Sequence, residues 1–367
     1  MFRKTLAVIA ALFASSAEAC IHADYDEYLT GKQPMNHLVF MRMWEQFEMN
    51  EGAKSPNALK DRSQRMQTFA ENIDKIIEHN SNTKSTYVKG LNKYADMTDA
   101  EFKAFYKMNK DTVREDQHCS ATMGPVKDQS EVKIPSSWDW REHDGVSPVK
   151  NQGSCGSCWT FSTVGALEAH ELLKYKTFTP LSEQQLVDCA GDFDNHGCEG
   201  GLPSHAFEYI STQSHGISTE TAYPYYAKDE ACTVKPSTYA LNVVGGSVNI
   251  TEGDEVALAE ALYNHGPVSV AFEVVDGFSA YKSGVYTSTV CKNSTQDVNH
   301  AVLAVGYGVE DGTPYWLVKN SWGADWGDEG YFKIERGVNM CGIAVCNSYP
   351  KEVERLTPSL EQQFLQN

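Results

Sequence analysis

The side chains best suited to covalent chemistry lie in three short stretches: QGSCGSCW over residues 152–159, VNHAVLAVGYG around His300, and VKNSWG around Asn320. A thiol is a weak nucleophile until it loses its proton, and the unpaired N–H groups and positive dipole end of a helix start favour that loss. Cys158 stands at such a start. Between Cys158 and Lys176, Phe161, Val164, Leu167 and Leu172 fall near one helical face, Lys174 and Lys176 sit at the negative end, and Ser157 takes the N-cap position. His300, at the mouth of an expected strand, is suited to take the thiol proton and return it to a leaving group. Asn320, where a strand breaks into Ser-Trp-Gly, is suited to fix the imidazole by a hydrogen bond, with Trp322 as its shield from water. Gln152 and the backbone N–H of Cys158 would supply two donors for an oxyanion.

Other chemistries compete for the same residues. Cys155 and Cys158 form a Cys-x-x-Cys that reads as a redox pair, or as half of a zinc site with Cys189, His196 and Cys198. Zinc sites usually show a second paired motif and thioredoxin-like sites a βαβ context, and neither is visible, so no metal and no cofactor is expected. A lone histidine or asparagine is more often structural than catalytic; the cysteine motif reverses that for His300 and Asn320.

The elements that must position these groups fall into two parts. Residues 36–114 read as polar helix, with Met66, Phe69, Ile73, Ile76 and Ile77 at three- and four-residue steps between Ala58 and Asn80, a face that needs a partner surface. Residues 120–133 read as an exposed, cleavable linker. Beyond Ile134, PVSVAFEV, HAVLAVGYG, PYWLVKN and GYFKIERG are short β-branched or aromatic runs bounded by glycine, hence strands. Helices first and strands later give an α+β fold with two lobes. The formal charge of −18 argues against nucleic acid or an anionic membrane as partner. Arg3 and Lys4, an apolar run from Leu6 to Ala14 and Ala17-Glu18-Ala19 read as a secretory signal over residues 1–19, too short to span a bilayer. An oxidising route allows most of the ten cysteines to be disulfide-bonded.

On these motifs the chain resembles the papain family of cysteine peptidases over nearly its whole length, and most of all the cathepsin H branch of that family. The resemblance implies a two-lobed fold with a helical left lobe and a β-barrel-like right lobe over 134–350, and a thioester mechanism. It assigns Cys158 to attack, His300 to acid and base work, Asn320 to orientation and Gln152 to the oxyanion. Gly200 and Gly201 in CEGGLPSHAF match the family's wall of the substrate cleft, with Leu202, Pro203, Ala301 and Trp322 nearby. Residues 20–114 resemble the family's inhibitory propeptide: Asp61, Arg65, Phe69, Asn72, Ile76 and Asn80 carry one motif, with aspartate where glutamate is usual. GLNKYAD over residues 90–96 carries the next, with Tyr94 where phenylalanine is usual. The precursor is therefore expected to be an inactive zymogen.

EDQHCSAT, residues 115–122, is similar to the peptide that the cathepsin H branch retains after processing, and implies excision of 123–133. The resemblance pairs Cys155 with Cys198, Cys189 with Cys232 and Cys291 with Cys341, leaving Cys119 and Cys346 to tether that peptide. The carboxylate of Thr122 would then receive a substrate's α-ammonium, making the enzyme mainly an aminopeptidase with limited endopeptidase activity. The competing readings are an unrestricted endopeptidase and a noncatalytic binding or inhibitor protein on a peptidase fold. Expected partners are peptides and proteins, the chain's own propeptide and cystatin-like inhibitors, around a monomer. The expected destination is a lysosome, a vacuole or the extracellular space. Asn249 and Asn293 begin glycosylation sequons, and residues 351–367 read as a solvated tail.

Overall fold

The computed structural model describes residues 25–108 and 134–356. In the N-terminal part, α1 (His37–Asn50) starts where the Asn36 side chain accepts from Leu38 and Val39 N–H, and α2 (Arg62–Asn80) where Asp61 does the same for Ser63 and Gln64. The strand β1 (Tyr87–Lys89) and the helix α3 (Asp99–Phe105), opened by a Thr98–Glu101 capping box, follow. The expected apolar face of α2 is real. Phe69, Ile73 and Ile76 bury themselves against Trp44 and Phe47 of α1. The segment's β1 was not legible in two half-buried residues flanking the exposed Val88; it pairs antiparallel with β6, described below, Tyr87 opposite Gly284.

The larger part opens with β2 (Trp138–Asp139) and the long helix α4 (Cys158–Tyr175), followed by α5 (Glu183–Cys189) and α6 (Pro203–Tyr209). After β3 (Ile217–Ser218) and β4 (Tyr239–Asn249) come α7 (Glu255–His265), β5 (Val268–Phe272) and β6 (Tyr281–Tyr286). The chain then runs through β7 (His300–Glu310), β8 (Thr313–Lys319), β9 (Tyr331–Glu335) and β10 (Ser348–Arg355).

The strands form one path, β1-β6-β9-β8-β7-β5-β10-β4-β3, with β2 added beside β7. The α+β, two-lobed fold is as expected; among the described residues no ladder joins the two ends of the path, so the sheet is not closed into a barrel. The four sequence-predicted strands are β5, β7, β8 and β9. Missed were the short β1, β2, β3 and β6 and the longer β4 and β10; the β4–β10 register breaks at Pro350/Glu352 opposite Gly245 and Gly246, both at positive φ. This corrects the expected boundary at Pro350: residues 351–355 are sheet, and Val353 is buried in the core beneath α4.

Strand β7 separates two cores, turning Ala301, Leu303 and Val305 toward one, where α4 packs, and Val302 and Ala304 toward the other. Trp159, Val164, Leu167 and Leu186 pack with Phe207 and Leu303 on one side. Phe272, Phe278, Trp316, Trp326 and Phe332 fill the other. Because α4 is covered nearly all round, the single apolar stripe read from the sequence understates it; Thr160, Ser162 and Thr163 are buried as well, satisfied by the Ser157, Val302 and Trp159 carbonyls. Lys150 Nζ, within 2.8 Å of Glu168 and 2.7 Å of Glu183, ties α4 to α5. Lys176 closes α4 in the left-handed conformation.

Candidate active site

Helix α4 begins at Cys158, which places the thiol at the N-terminal end as expected. Ser157 is the N-cap residue but makes no side-chain cap; its Oγ instead lies 2.5 Å from the Tyr225 hydroxyl. Tyr225 in turn donates to the Gln152 carbonyl at 2.7 Å. No local signal in the sequence marks Tyr225, because it reaches the site only through the fold.

Across from the thiol, β7 starts at His300 and β8 ends just before Asn320. Antiparallel pairing of these strands brings the two side chains together, with His300 Nε2 2.8 Å from Asn320 Oδ1. The amide oxygen is an acceptor, so Nε2 carries the proton and Nδ1 is left with its lone pair. Nδ1 is buried and makes no hydrogen bond. Trp322 lies over the imidazole, ring centroids 4.8 Å apart and planes 23° from parallel, and is itself fully buried. The Ala301 N–H points at Cys158 Sγ at 3.4 Å, joining the two sides across 143 residues of sequence.

Gln152 is held on both faces of its amide: Nε2 donates to the Cys155 carbonyl at 2.9 Å and Oε1 accepts from Ser321 Oγ at 2.6 Å. One N–H of Nε2 stays available. Gly200 and Gly201 line the cavity beside Cys158, and each position favours glycine for a different reason. Gly200 has φ 112°, which side chains rarely adopt, and a Cβ at Gly201 would come within 2.7 Å of the Trp159 ring.

Burial dominates the electrostatics. Cys158 keeps some surface toward the cleft, yet dense protein around it pushes the thiol up to about 11 against the pull of the Ala301, Trp159 and Cys158 N–H groups. The same desolvation pulls His300 down to about 4, opposed by the Asn320 hydrogen bond. In the precursor, therefore, the neutral thiol and neutral imidazole are favoured.

The cover is the N-terminal segment. A cavity of about 100 Å³ is lined by Cys158, His300, Gly200 and Gly201, and also by Tyr106, Lys107 and Met108. Tyr106 stacks on Trp322 at 5.1 Å and Phe102 meets it edge-on at 5.0 Å. Lys93, buried, donates to the Trp322 carbonyl at 2.7 Å and to Asp325 at 2.6 Å.

Three disulfides join Cys155 to Cys198, Cys189 to Cys232 and Cys291 to Cys341. Cys155, Cys189 and Cys198 of the alternative zinc reading are thus oxidised, which also removes Cys155 as a redox partner of Cys158, the free thiol among the described residues. Cys346 is disulfide-bonded and lines the same cavity as Cys158. Cys119 and Thr122 lie outside the described residues. Asn293 is exposed and Asn249 half-buried on β4.

Residues 134–351 match the family described as Papain family cysteine protease, and residues 44–102 the Cathepsin propeptide inhibitor domain. The chain belongs to the papain family of cysteine peptidases. It is 54% identical over 286 residues to the thiol protease aleurain of Arabidopsis thaliana, covering 78% of this chain and 77% of that one. It is 52% identical over 287 residues to pro-cathepsin H of Mus musculus, covering 78% and 84%. The digestive procathepsin L2 proteinase of Tenebrio molitor larval midgut superposes with a TM-score of 0.76 at 40% identity, covering 85% of this chain and 99% of that one. The proform of the ragweed pollen allergen Amb a 11 gives 0.75 at 35% identity, covering 86% and 96%. The chain is a papain-family zymogen whose propeptide inhibits it and whose substrates are proteins and peptides. Among the described residues no helix is long and apolar enough to cross a membrane.

Proposed function

We propose that this peptidase works mainly as an aminopeptidase with limited endopeptidase activity, through a thioester on Cys158. His300 Nδ1 takes the thiol proton, the sulfur attacks the substrate carbonyl, and the C–N bond breaks as the imidazolium hands that proton to the leaving amine. Water, deprotonated by the same nitrogen, then cleaves the thioester. Asn320 keeps the proton on Nε2, and Trp322 keeps water from that hydrogen bond. The remaining Gln152 N–H and the Cys158 N–H serve the oxyanion.

The observation that carries the aminopeptidase reading is Cys346: it is disulfide-bonded, it lines the cleft cavity, and no other described cysteine remains to pair with it. A partner at Cys119 would hold residues 115–122 at the cleft, with the Thr122 carboxylate placed to receive a free α-ammonium once the chain is cut before Met123. Excision of 123–133 and residence in a lysosome- or vacuole-like compartment, or outside the cell, complete this reading; cystatin-like inhibitors and a monomeric state come with the family.

The test is hydrolysis, after acid activation, of one aminoacyl reporter with its amine free and acetylated. The free amine should be preferred by at least tenfold, and reduction of the mature protein should release a fragment ending at Thr122. Preference for the acetylated reporter, or no fragment, would leave an unrestricted endopeptidase. Cys158→Ser should abolish hydrolysis; full retention would move the nucleophile elsewhere and revive the noncatalytic reading of this site.

A further inference from the structure

Glu199, in CEGGLPSHAF, plays no part in the chemistry above. Its place is fixed by its neighbours. The Gly156 N–H donates to the Cys198 carbonyl at 2.9 Å, and Cys155 is bonded to Cys198, so Glu199 is pinned beside a residue two positions from the nucleophile. Its side chain is half exposed and forms an ion pair with Lys107 of the propeptide, while its N–H donates to the His196 carbonyl. A Cβ at Gly156 would lie 3.2 Å from Lys107 Cβ, so the lysine packs against the residue two positions from Cys158, and Lys107, Glu199 and Cys158 line one cavity. The other carboxylates of this loop are engaged elsewhere: Asp192 accepts from Gln213, Asp194 is 3.2 Å from His196, and Asp229 accepts the Cys198 N–H.

Removal of the propeptide takes the partner of Glu199 away and leaves a carboxylate facing the space where the acyl residue of a substrate must lie. We propose that Glu199 is a specificity-determining residue that selects lysine or arginine as the residue whose carbonyl Cys158 attacks, Lys107 occupying that place in the precursor. This inference rests on Cys158 being the nucleophile but not on the aminopeptidase reading, because the acyl residue lies there whether or not its amine is free.

The experiment compares kcat/KM for lysyl, arginyl and methionyl reporters, each with a free and an acetylated amine, using the acid-activated enzyme made from the full chain. The basic-to-methionyl ratio should exceed one in at least one amine form, fall about fivefold in Glu199→Gln, the effect of one well-placed exposed ion pair, and fall with rising salt in the wild type. A ratio unmoved by both the substitution and salt would overturn the proposal. The salt series needs no variant, so it decides the matter if Glu199→Gln fails to fold. The free-to-acetylated ratio reports separately on the aminopeptidase reading.

Discussion

The two ends of the propeptide are held by different physics. Its body, α1 and α2 with the loop to Asp96, owns a core: Trp44, Phe69 and Ile73 are buried together. There Arg65 Nε donates to Asp96 at 2.6 Å, with side-chain exposures of only 9% and 0%. Its distal arm, residues 97–108, lends Phe102 and Tyr106 to the peptidase core around Trp322, joined there by Tyr94 at the end of the loop. It ends in the Lys107–Glu199 pair, 32% and 51% exposed, over the cleft. Interactions of the body decide whether the inhibitor is folded, and those of the arm whether it stays on the site. The hold is weakest where the cleft has to open.

The comparison can be broken most severely in the body. Asp96→Ala leaves Arg65 buried without its partner and strips Ser55 of its acceptor, a loss of about 3–5 kcal/mol. Thermal melting of a Cys158→Ser precursor carrying it should show the propeptide unfolding before the peptidase. A single shared transition at the unmodified temperature would mean that the arm, not the body, carries the propeptide.

Acid sharpens the contrast through two histidines. His300 lies under the arm and His170 on α4, and burial depresses each to about 4. Both stay neutral in the folded precursor as pH falls from about 6.5 toward 4, while the unfolded chain binds the protons. Each group therefore removes stability progressively over that window, up to about 3 kcal/mol by its lower end. In NMR titrations of the Cys158→Ser protein before and after the propeptide is cut away by an added peptidase, the His300 midpoint should rise on removal. That of His170 should stay near 4. Equal behaviour of the two would show that the arm does not seal the site.

Smaller effects lie along the arm. Phe102→Leu keeps apolar volume but loses the edge contact with Trp322, and should weaken docking by about 1 kcal/mol, seen as activation several-fold faster at a fixed acid pH. Lys107→Ala removes an exposed pair worth less than about 1 kcal/mol, so activation should quicken no more than a few-fold. A larger effect of Lys107→Ala than of Phe102→Leu would reverse the order of strength proposed for the arm.

Legibility followed the same physics. The helix beginning at Cys158 and strands such as HAVLAVGYG could be read because their patterns are dense and bounded by glycine. Strand β10 could not, since Pro350, Lys351 and Glu352 interrupt its apolar alternation at the register break, and its pairing with β4 is a long-range matter. The stacking of Tyr106 on Trp322 and the hydrogen bond from Lys93 to the Trp322 carbonyl likewise have no local pattern, because their partners lie more than two hundred residues away.

By itself the sequence determined the chemistry available: one cysteine at a helix start, a histidine and an asparagine at strand ends, and a glycine pair for a cleft wall. The tertiary structure decided what state that chemistry is kept in. Only folding turns His300 Nε2 onto Asn320, leaves Nδ1 with its lone pair, and lays Tyr106 and Lys107 along the cleft so that thiol and imidazole stay neutral. Charge stability depends on what surrounds a group from every side, and for Cys158 those surroundings come from the propeptide, the loop around Gly200 and strand β7, segments that share no local sequence.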